Sequence, residues 1–305
     1  MNPLRSLLHS LAGVAFASAC LITSGLRAED VAVAKQLEAL GGKVTQKDGV
    51  VTQVEFKDCT KIGDAELRAI GQLANLKSLT LYGRLHGLND ATVGHLKGLQ
   101  KLESLSTDGA QLTDAGLAQL SALANLRSAS FFHLSFRMEG FTGTGFAAWK
   151  ALPKLERLTV AGMSMGDEGF AAIATLTGLR DLSTWHTYQT EAGNAAIATL
   201  PNLTGLKVGQ RLPHAGAKAP SLSDASLATL VKIKTLESLK IGEAHFTLEA
   251  LRALKAMPKL KQLAIYESDI GIADVEKLRA ELPGVKIDFH PLTDEQRKKL
   301  ETYLK

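Results

Sequence analysis

The side chains best suited to recognition in this 305-residue chain fall in one recurring place. Tyr82, Phe132, Trp185 and Tyr266 each follow a short apolar run whose last two apolar members are two residues apart. Along the chain, that position is filled by Lys57, Tyr82, Asp108, Phe132, Ala161, Trp185, Gly209, Gly242 and Tyr266. The chain has only 4 Tyr and 2 Trp, and three of these six stand in the row. A core does not call for large rings at positions that alternation turns toward solvent, so the row is a candidate recognition surface. The competing reading is that the rings shield the sheet or pack under a loop. His133 and His186 follow Phe132 and Trp185 at equivalent places, two periods apart and so roughly 10 Å from each other. A His–zinc bond is about 2 Å, so the pair cannot share a metal without movement; hydrogen bonding or ligand contact fits better. Arg157, Lys207 and Lys240 add positive charge on the same runs.

Signatures of catalysis are missing from the sequence. It contains no Gly-x-Ser-x-Gly, His-Glu-x-x-His, phosphate-binding loop or Cys-x-x-Cys. Asp167-Glu168-Gly169 has the form of paired acids, but similar acids recur wherever a helical segment starts, and the helix dipole accounts for them. Asn202-Leu203-Thr204 matches a glycosylation sequon, yet Leu203 is a core position. No catalytic group, cofactor or metal is expected.

The elements that carry the row repeat. The pattern apolar-x-x-apolar-x-apolar begins at Val51 and returns at Leu76, Leu102, Leu126, Leu155, Leu179, Leu203, Leu236 and Leu260, with a degenerate turn at Val285. The intervals are 25, 26, 24, 29, 24, 24, 33, 24 and 25 residues. The first half of each unit has strand spacing. The second half has helical spacing, as in Leu117, Leu120 and Leu123. Thr113-Asp114, Thr190-Glu191, Ser223-Asp224 and Thr247 place a hydroxyl where it caps a helix, and the following acid suits the dipole. Pro153, Pro201, Pro258 and Pro283, or Gly98 and Gly178, stop the helices. One unit cannot bury its apolar face alone, so the units must stack, with strands inside a curve and helices outside. Nine strand steps of about 4.8 Å give an inner sheet roughly 43 Å long.

This unit, with Leu-x-x-Leu-x-Leu followed by Thr-Asp-Ala-Gly-Leu-x-x-Leu, resembles the leucine-rich-repeat family in its helical cysteine-containing and GALA-like subtypes, here in an exported bacterial form. The resemblance covers about residues 51 to 290. It implies an α/β solenoid, curved and right-handed, with a parallel sheet on the concave face and helices on the convex face. It also implies recognition of a protein or peptide by the concave face. The chain departs from the pattern after each strand. The position of the usual Asn or Cys is here Cys59, Arg84, Ala110, Leu134, Met163, Thr187, Arg211, Ala244 and Ser268, so backbone bonds must satisfy the turn amides there.

The expected organisation is a signal peptide (1–28), an N-terminal cap of helix and hairpin strand (29–50), the repeats (51–290) and a C-terminal cap helix (291–305). Arg5, the apolar centre and Leu26-Arg27-Ala28 follow signal order. Ala17-Ser18-Ala19-Cys20 competes as a lipidation site, so membrane attachment depends on Cys20. The mature chain is then periplasmic or extracellular. Removing Arg5 and Arg27 takes the formal charge from +4 to +2. Scattered Lys and Arg make no nucleic-acid footprint. The one remaining thiol, Cys59, reads as a small buried hydrophobe.

Two repeats are long. The extra residues fall at 133–142 and 210–222, at one edge and beside the aromatic row. Neutral length drift in a loop is the alternative. The function expected is an exported, non-enzymatic binding module with anchors Tyr82, Phe132, Trp185 and Tyr266. His133, Arg157, His186, Lys207 and Lys240 stand beside them. A carbohydrate-binding envelope protein is the first rival, because serines (Ser104, Ser106, Ser128, Ser130, Ser183) flank the rings. A passive envelope structural protein is the second.

Overall fold

A computed structural model describes residues 28–136, 138–212 and 221–304. The expected signal segment up to residue 27, with Cys20, lies outside these residues, as do residues 213–220 of the second insertion and Arg137 of the first.

Helix α1 covers residues 28–39. β1 (Lys43–Lys47) and β2 (Val50–Phe56) follow as an antiparallel hairpin. Asp48 and Gly49 at its turn have φ of 53° and 75°. That left-handed pair matches a two-residue turn to the twist of its strands. The buried Asp30 carboxylate accepts a bond from the Val51 amide at 3.0 Å and ties α1 to the hairpin.

From β2 onward each turn of the solenoid supplies one strand and one helical segment. The strands are β3 (Ser78–Leu81), β4 (Ser104–Asp108), β5 (Ser128–Phe132), β6 (Arg157–Ala161) and β7 (Asp181–Trp185). β8 (Gly205–Val208), β9 (Ser238–Gly242), β10 (Gln262–Tyr266) and β11 (Lys286–Phe289) continue the series. Each pairs only with its sequence neighbours, and β2 to β11 are parallel throughout. The register sets Leu79, Leu105, Ala129, Leu158, Leu182, Leu206, Leu239 and Leu263 side by side on the buried face. Behind the sheet lie α2 (Asp64–Gly71), α3 (Asp114–Gln119), α4 (Asp167–Ile173), α5 (Glu191–Ile197), α6 (Asp224–Leu230), α7 (Leu248–Arg252) and α8 (Ile272–Glu281). Two repeats use 3-10 helix instead, at Val93–Gly98 and Thr144–Ala151. α9 (Asp294–Leu304) ends the chain, with Leu300 buried.

This is a leucine-rich-repeat solenoid. A strand step is about 4.8 Å while a helix is about 10 Å wide, so stacked units bend toward the strand side. The sheet face without helices is therefore the concave one. The edge strands β1 and β11 carry exposed charges, Lys43, Lys47, Lys286 and Asp288, which discourage further strand addition.

The helix-start acids do more than serve a dipole. Asp90 accepts from the Thr113 amide at 2.9 Å and from its hydroxyl at 2.5 Å. Asp167 holds Thr190 in the same two ways, at 2.8 and 2.7 Å, and Asp224 holds Thr247, at 3.0 and 2.7 Å. The acid of one repeat thus fastens the N-cap Thr of the next. Those threonines in turn cap α3, α5 and α7. The glycine of the Thr-Asp-Ala-Gly motif is explained by the same ladder. A Cβ on Gly116 would lie 1.9 Å from Asp90 Oδ1, and one on Gly193 would lie 2.8 Å from Asp167 Oδ1.

Backbone bonds between neighbouring repeats satisfy the strand-exit turns. Cys59 donates its amide to Gly83 at 2.7 Å, Gly109 to Phe132 at 2.9 Å, His133 to Ala161 at 2.9 Å and His186 to Gln210 at 2.8 Å.

Candidate functional site

Three residues of each central strand point away from the helices, because alternate side chains leave opposite faces of the sheet. The third of them makes the aromatic row. Tyr82 meets Phe132 edge-on, with ring centres 5.8 Å apart and planes at 87°. Phe132 meets Trp185 at 6.0 Å and 57°. Asp108 and Ala161 stand at the same position on the intervening strands. The rings therefore form a continuous strip from β3 to β7, half-buried against one another, and are not isolated platforms. Centre distances of this kind are those of favourable aromatic pairs.

Lys207 extends the strip toward Tyr266. Its Nζ lies 3.8 Å from the centre of the Trp185 ring and 5.1 Å from that of Tyr266, a cation–π arrangement. Tyr266 lies across two glycines. A Cβ on Gly242 would fall 2.6 Å from its ring, and one on Gly209 would fall 2.9 Å from its hydroxyl. Those two gaps in the row are what allow the ring to lie down. Burial raises the Tyr266 phenol pKa above its ordinary value, and the charges of Glu243 and Glu267 push the same way. Burial also lowers the Lys207 pKa. Glu243 opposes that shift, Lys240 adds to it and Glu267 opposes it.

Lys207 and Lys240 are register partners on β8 and β9. Arg157, at the start of β6, is exposed. A cavity of about 220 Å³ opens beside the two lysines, lined by Asp181, Ser183, Gly205 and Ser238 as well. A second hollow of about 400 Å³ shares Asp181, Gly205 and Ser238 and continues to the strand-entry edge at Arg180, Glu237 and Lys261.

The residue after the aromatic row turns the chain out of the sheet with positive φ. Glycine fills it at Gly83, Gly109 and Gly162, but His133, His186, Glu243 and Glu267 also adopt φ between 44° and 59°. A non-glycine residue there costs about 1 to 2 kcal/mol. The two histidines and Glu243 use the position for cross-repeat pairs. His133 Nδ1 lies 2.8 Å from Asp108 Oδ1, and His186 Nε2 lies 2.8 Å from Glu243 Oε1. The sequence places the two histidines in equivalent turns, and the structure gives each its own carboxylate. No group of three metal-ligating side chains assembles among the described residues.

Glu243 has no precedent in the sequence reading. It is 6% exposed and also accepts from the Gln210 amide at 3.0 Å. The missed signal is an acid at a turn position that other repeats give to glycine. Gln210 is the hub of a buried polar network. Its amide nitrogen donates to Leu222 O at 3.1 Å, and its oxygen accepts from Arg211 N at 3.1 Å and Ser221 N at 2.6 Å. The two ends of the second insertion are thus clamped together by one side chain. Asn194 donates to Ser221 O at 2.6 Å and accepts from Gln189, which is itself held by the Thr184 and Thr187 hydroxyls. The Cys59 thiol is buried and its pKa is pushed up to about 12 by desolvation, with Asp58 and Asp108 adding to the shift.

No protein-family model matches the chain, and no curated protein matches it. Among solved structures it is similar to an internalin of Listeria monocytogenes, at 16% identity over 74% of this chain and 71% of that one, TM-score 0.46. Internalin C2 of Listeria monocytogenes gives 17% identity over 75% and 84%, TM-score 0.46. A leucine-rich-repeat protein of Leptospira interrogans gives 14% over 73% and 80%, TM-score 0.33. At these scores the overlaps add nothing to the strand order and register already described.

Proposed function

We propose that the chain is an exported, non-enzymatic module that binds a protein or peptide partner on its concave face. The observation that carries this reading is the strip from Tyr82 through Phe132 and Trp185 to Lys207 and Tyr266. Rings that pack on each other across solvent-facing positions form a broad, stiff, amphipathic surface, and such surfaces supply interface anchors. A sugar reading would need an open indole face, and Lys207 stands over that of Trp185. Export rests on the order of Arg5, the apolar centre and Ala28.

The test is a pull-down of envelope proteins with the mature chain and with a Phe132→Ala/Trp185→Ala double variant. Partner capture is expected to fall at least about tenfold, which is ~1.4 kcal/mol of binding. Equal capture by a folded double variant rejects the concave face. Mass spectrometry of the mature protein is expected to find Glu29 at its start. A start at Met1 rejects export by cleavage, and a lipid on Cys20 moves the protein to a membrane surface.

A further inference from the structure

We propose that Lys207 and Lys240 form a carboxylate-binding subsite for an acidic side chain of an extended peptide lying in the groove over β7, β8 and β9. This rests on the concave-face reading and names the chemistry of its partner.

Three observations carry it. The two lysines are register partners on adjacent strands, so their backbones stand about one strand spacing apart on the same face. Among the described residues neither ammonium has a carboxylate within salt-bridge reach, although both stand on the sheet face that Asp181 also lines. Glu243 and Glu267 already act on Lys207 from beyond salt-bridge reach and offset its repulsion from Lys240; an anion in direct contact with both ammonium groups adds an attraction that neither acid supplies at that range. Lys207 is in addition held over Trp185, which fixes where its charge is presented.

The second observation is size. The cavity at the lysines is about 220 Å³. That is below the roughly 300 to 1,000 Å³ of pockets that enclose a whole small molecule. It suits one side chain of a larger ligand.

The third is the path. Gly205, the first residue of β8, has no side chain, and the Asp181 carboxylate fills that space, since a Cβ on Gly205 would lie 2.0 Å from Asp181 Oδ1. The cavity and the longer hollow meet there. A ligand segment that follows the two hollows toward the strand-entry edge passes alongside the Asp181 carboxylate. Asp181 would then face a donor of the same peptide, two to three residues from the acid at about 3.3 Å per residue.

The experiment uses the full mature chain and surface-immobilised decapeptides in three composition-matched sets, with Glu, Gln or Lys at the variable positions. The Glu set is expected to be captured at least tenfold better than the other two, and less so as salt rises. Lys207→Gln and Lys240→Gln should each remove most of that preference, and Lys240→Arg should keep it. Free phosphate and citrate serve as competitors. Equal capture of all three sets, or Glu capture unchanged in both Gln variants, overturns the subsite. So does full displacement by phosphate alone at equal concentration, which would mark a free-anion site. If capture without charge preference is lost in Phe132→Ala/Trp185→Ala, the subsite fails while the concave-face reading stands. If the Glu preference is lost in the lysine variants yet survives that double variant, the subsite stands without the rings.

Discussion

The two long repeats solve one problem by opposite chemistry. Each inserts extra residues at the strand-exit edge, and each must return the chain to the start of a helix. The 29-residue repeat (126–154) does it with apolar groups. Leu134 and Phe141 are buried, Met138 packs on the core, and beneath them Phe131, Phe146 and Trp149 meet edge-on at 5.1 to 6.2 Å. The 33-residue repeat (203–235) does it with hydrogen bonds centred on Gln210, Ser221 and Asn194. Apolar packing is tolerant of detail and strong per side chain. A buried amide network fixes one geometry, because every unmade bond is costly. The polar network gathers at the strand-exit end of β7 and β8, and Thr184, which directly precedes Trp185, ties it to the sheet.

Substituting the centre of each region separates the two mechanisms. Trp149→Ala is expected to have the largest effect, about 4 kcal/mol of lost stability in urea unfolding, because it opens a cavity and also removes the bond from Trp149 Nε1 to Leu117 O. Gln210→Leu keeps the volume but strands the Ser221 amide and the Leu222 carbonyl, while the Arg211 amide keeps the Ser221 hydroxyl, for a loss of about 2 to 3 kcal/mol. Hydrogen exchange should quicken locally at residues 221–226 in that variant. A neutral or stabilised Gln210→Leu protein would show that the second repeat is held by something other than its network.

The apolar region was legible in the sequence and the polar one was not, for a physical reason. Leu126, Phe131 and Leu155 stand at periodic places, and periodicity follows from strand and helix geometry alone, whereas Leu134 and Phe141 fall in the insertion outside it. Gln210, Asn194 and Glu243 act through partners 11 to 33 residues away, and no spacing rule relates a buried amide to the backbone that it will satisfy. The same holds at the candidate site. Tyr82, Phe132, Trp185 and Tyr266 are visible as a row, but their mutual packing depends on what lies between them. Gly209 and Gly242 read as gaps until Tyr266 is seen lying across them. The acid at each helix start was legible as a dipole partner; its bond to the next repeat required the superhelical stacking.

That ladder gives the next effect down. Asp114 closes the far end of the first insertion. It accepts from the Thr142 amide at 3.0 Å, the Thr142 hydroxyl at 2.8 Å and the Gly145 amide at 3.0 Å. Partial burial works to raise its pKa, but the donors of Gly145, Thr142 and Gly143 together outweigh it and hold the carboxyl below its ordinary 3.8. A depressed native pKa means that the unfolded chain binds the proton first. The contribution is therefore complete above about pH 4 and is lost as pH falls through the native value. Asp114→Asn, which cannot accept from all three donors, should cost about 1 kcal/mol at pH 7, because the group is partly exposed, and should flatten the acid limb of stability against pH. An acid limb of unchanged steepness would remove Asp114 from the ladder's energetics.

The smallest effect carries the clearest sign. Thr107 and Thr184 occupy the same inward strand position in the two halves, and both are fully buried. The Thr184 hydroxyl donates to Gln189 Oε1 at 3.1 Å and belongs to the polar network. The Thr107 hydroxyl has no hydrogen-bond partner among the described residues. A valine keeps the shape of threonine and removes the hydroxyl, so the same substitution should act in opposite directions. Thr107→Val is expected to stabilise by about 1 kcal/mol, since it relieves an unpaired buried group, and Thr184→Val to destabilise by about the same amount. Urea midpoints at constant slope would report both. If the two variants shift together, the polar character of the second region is incidental, and the contrast between the halves reduces to one of volume.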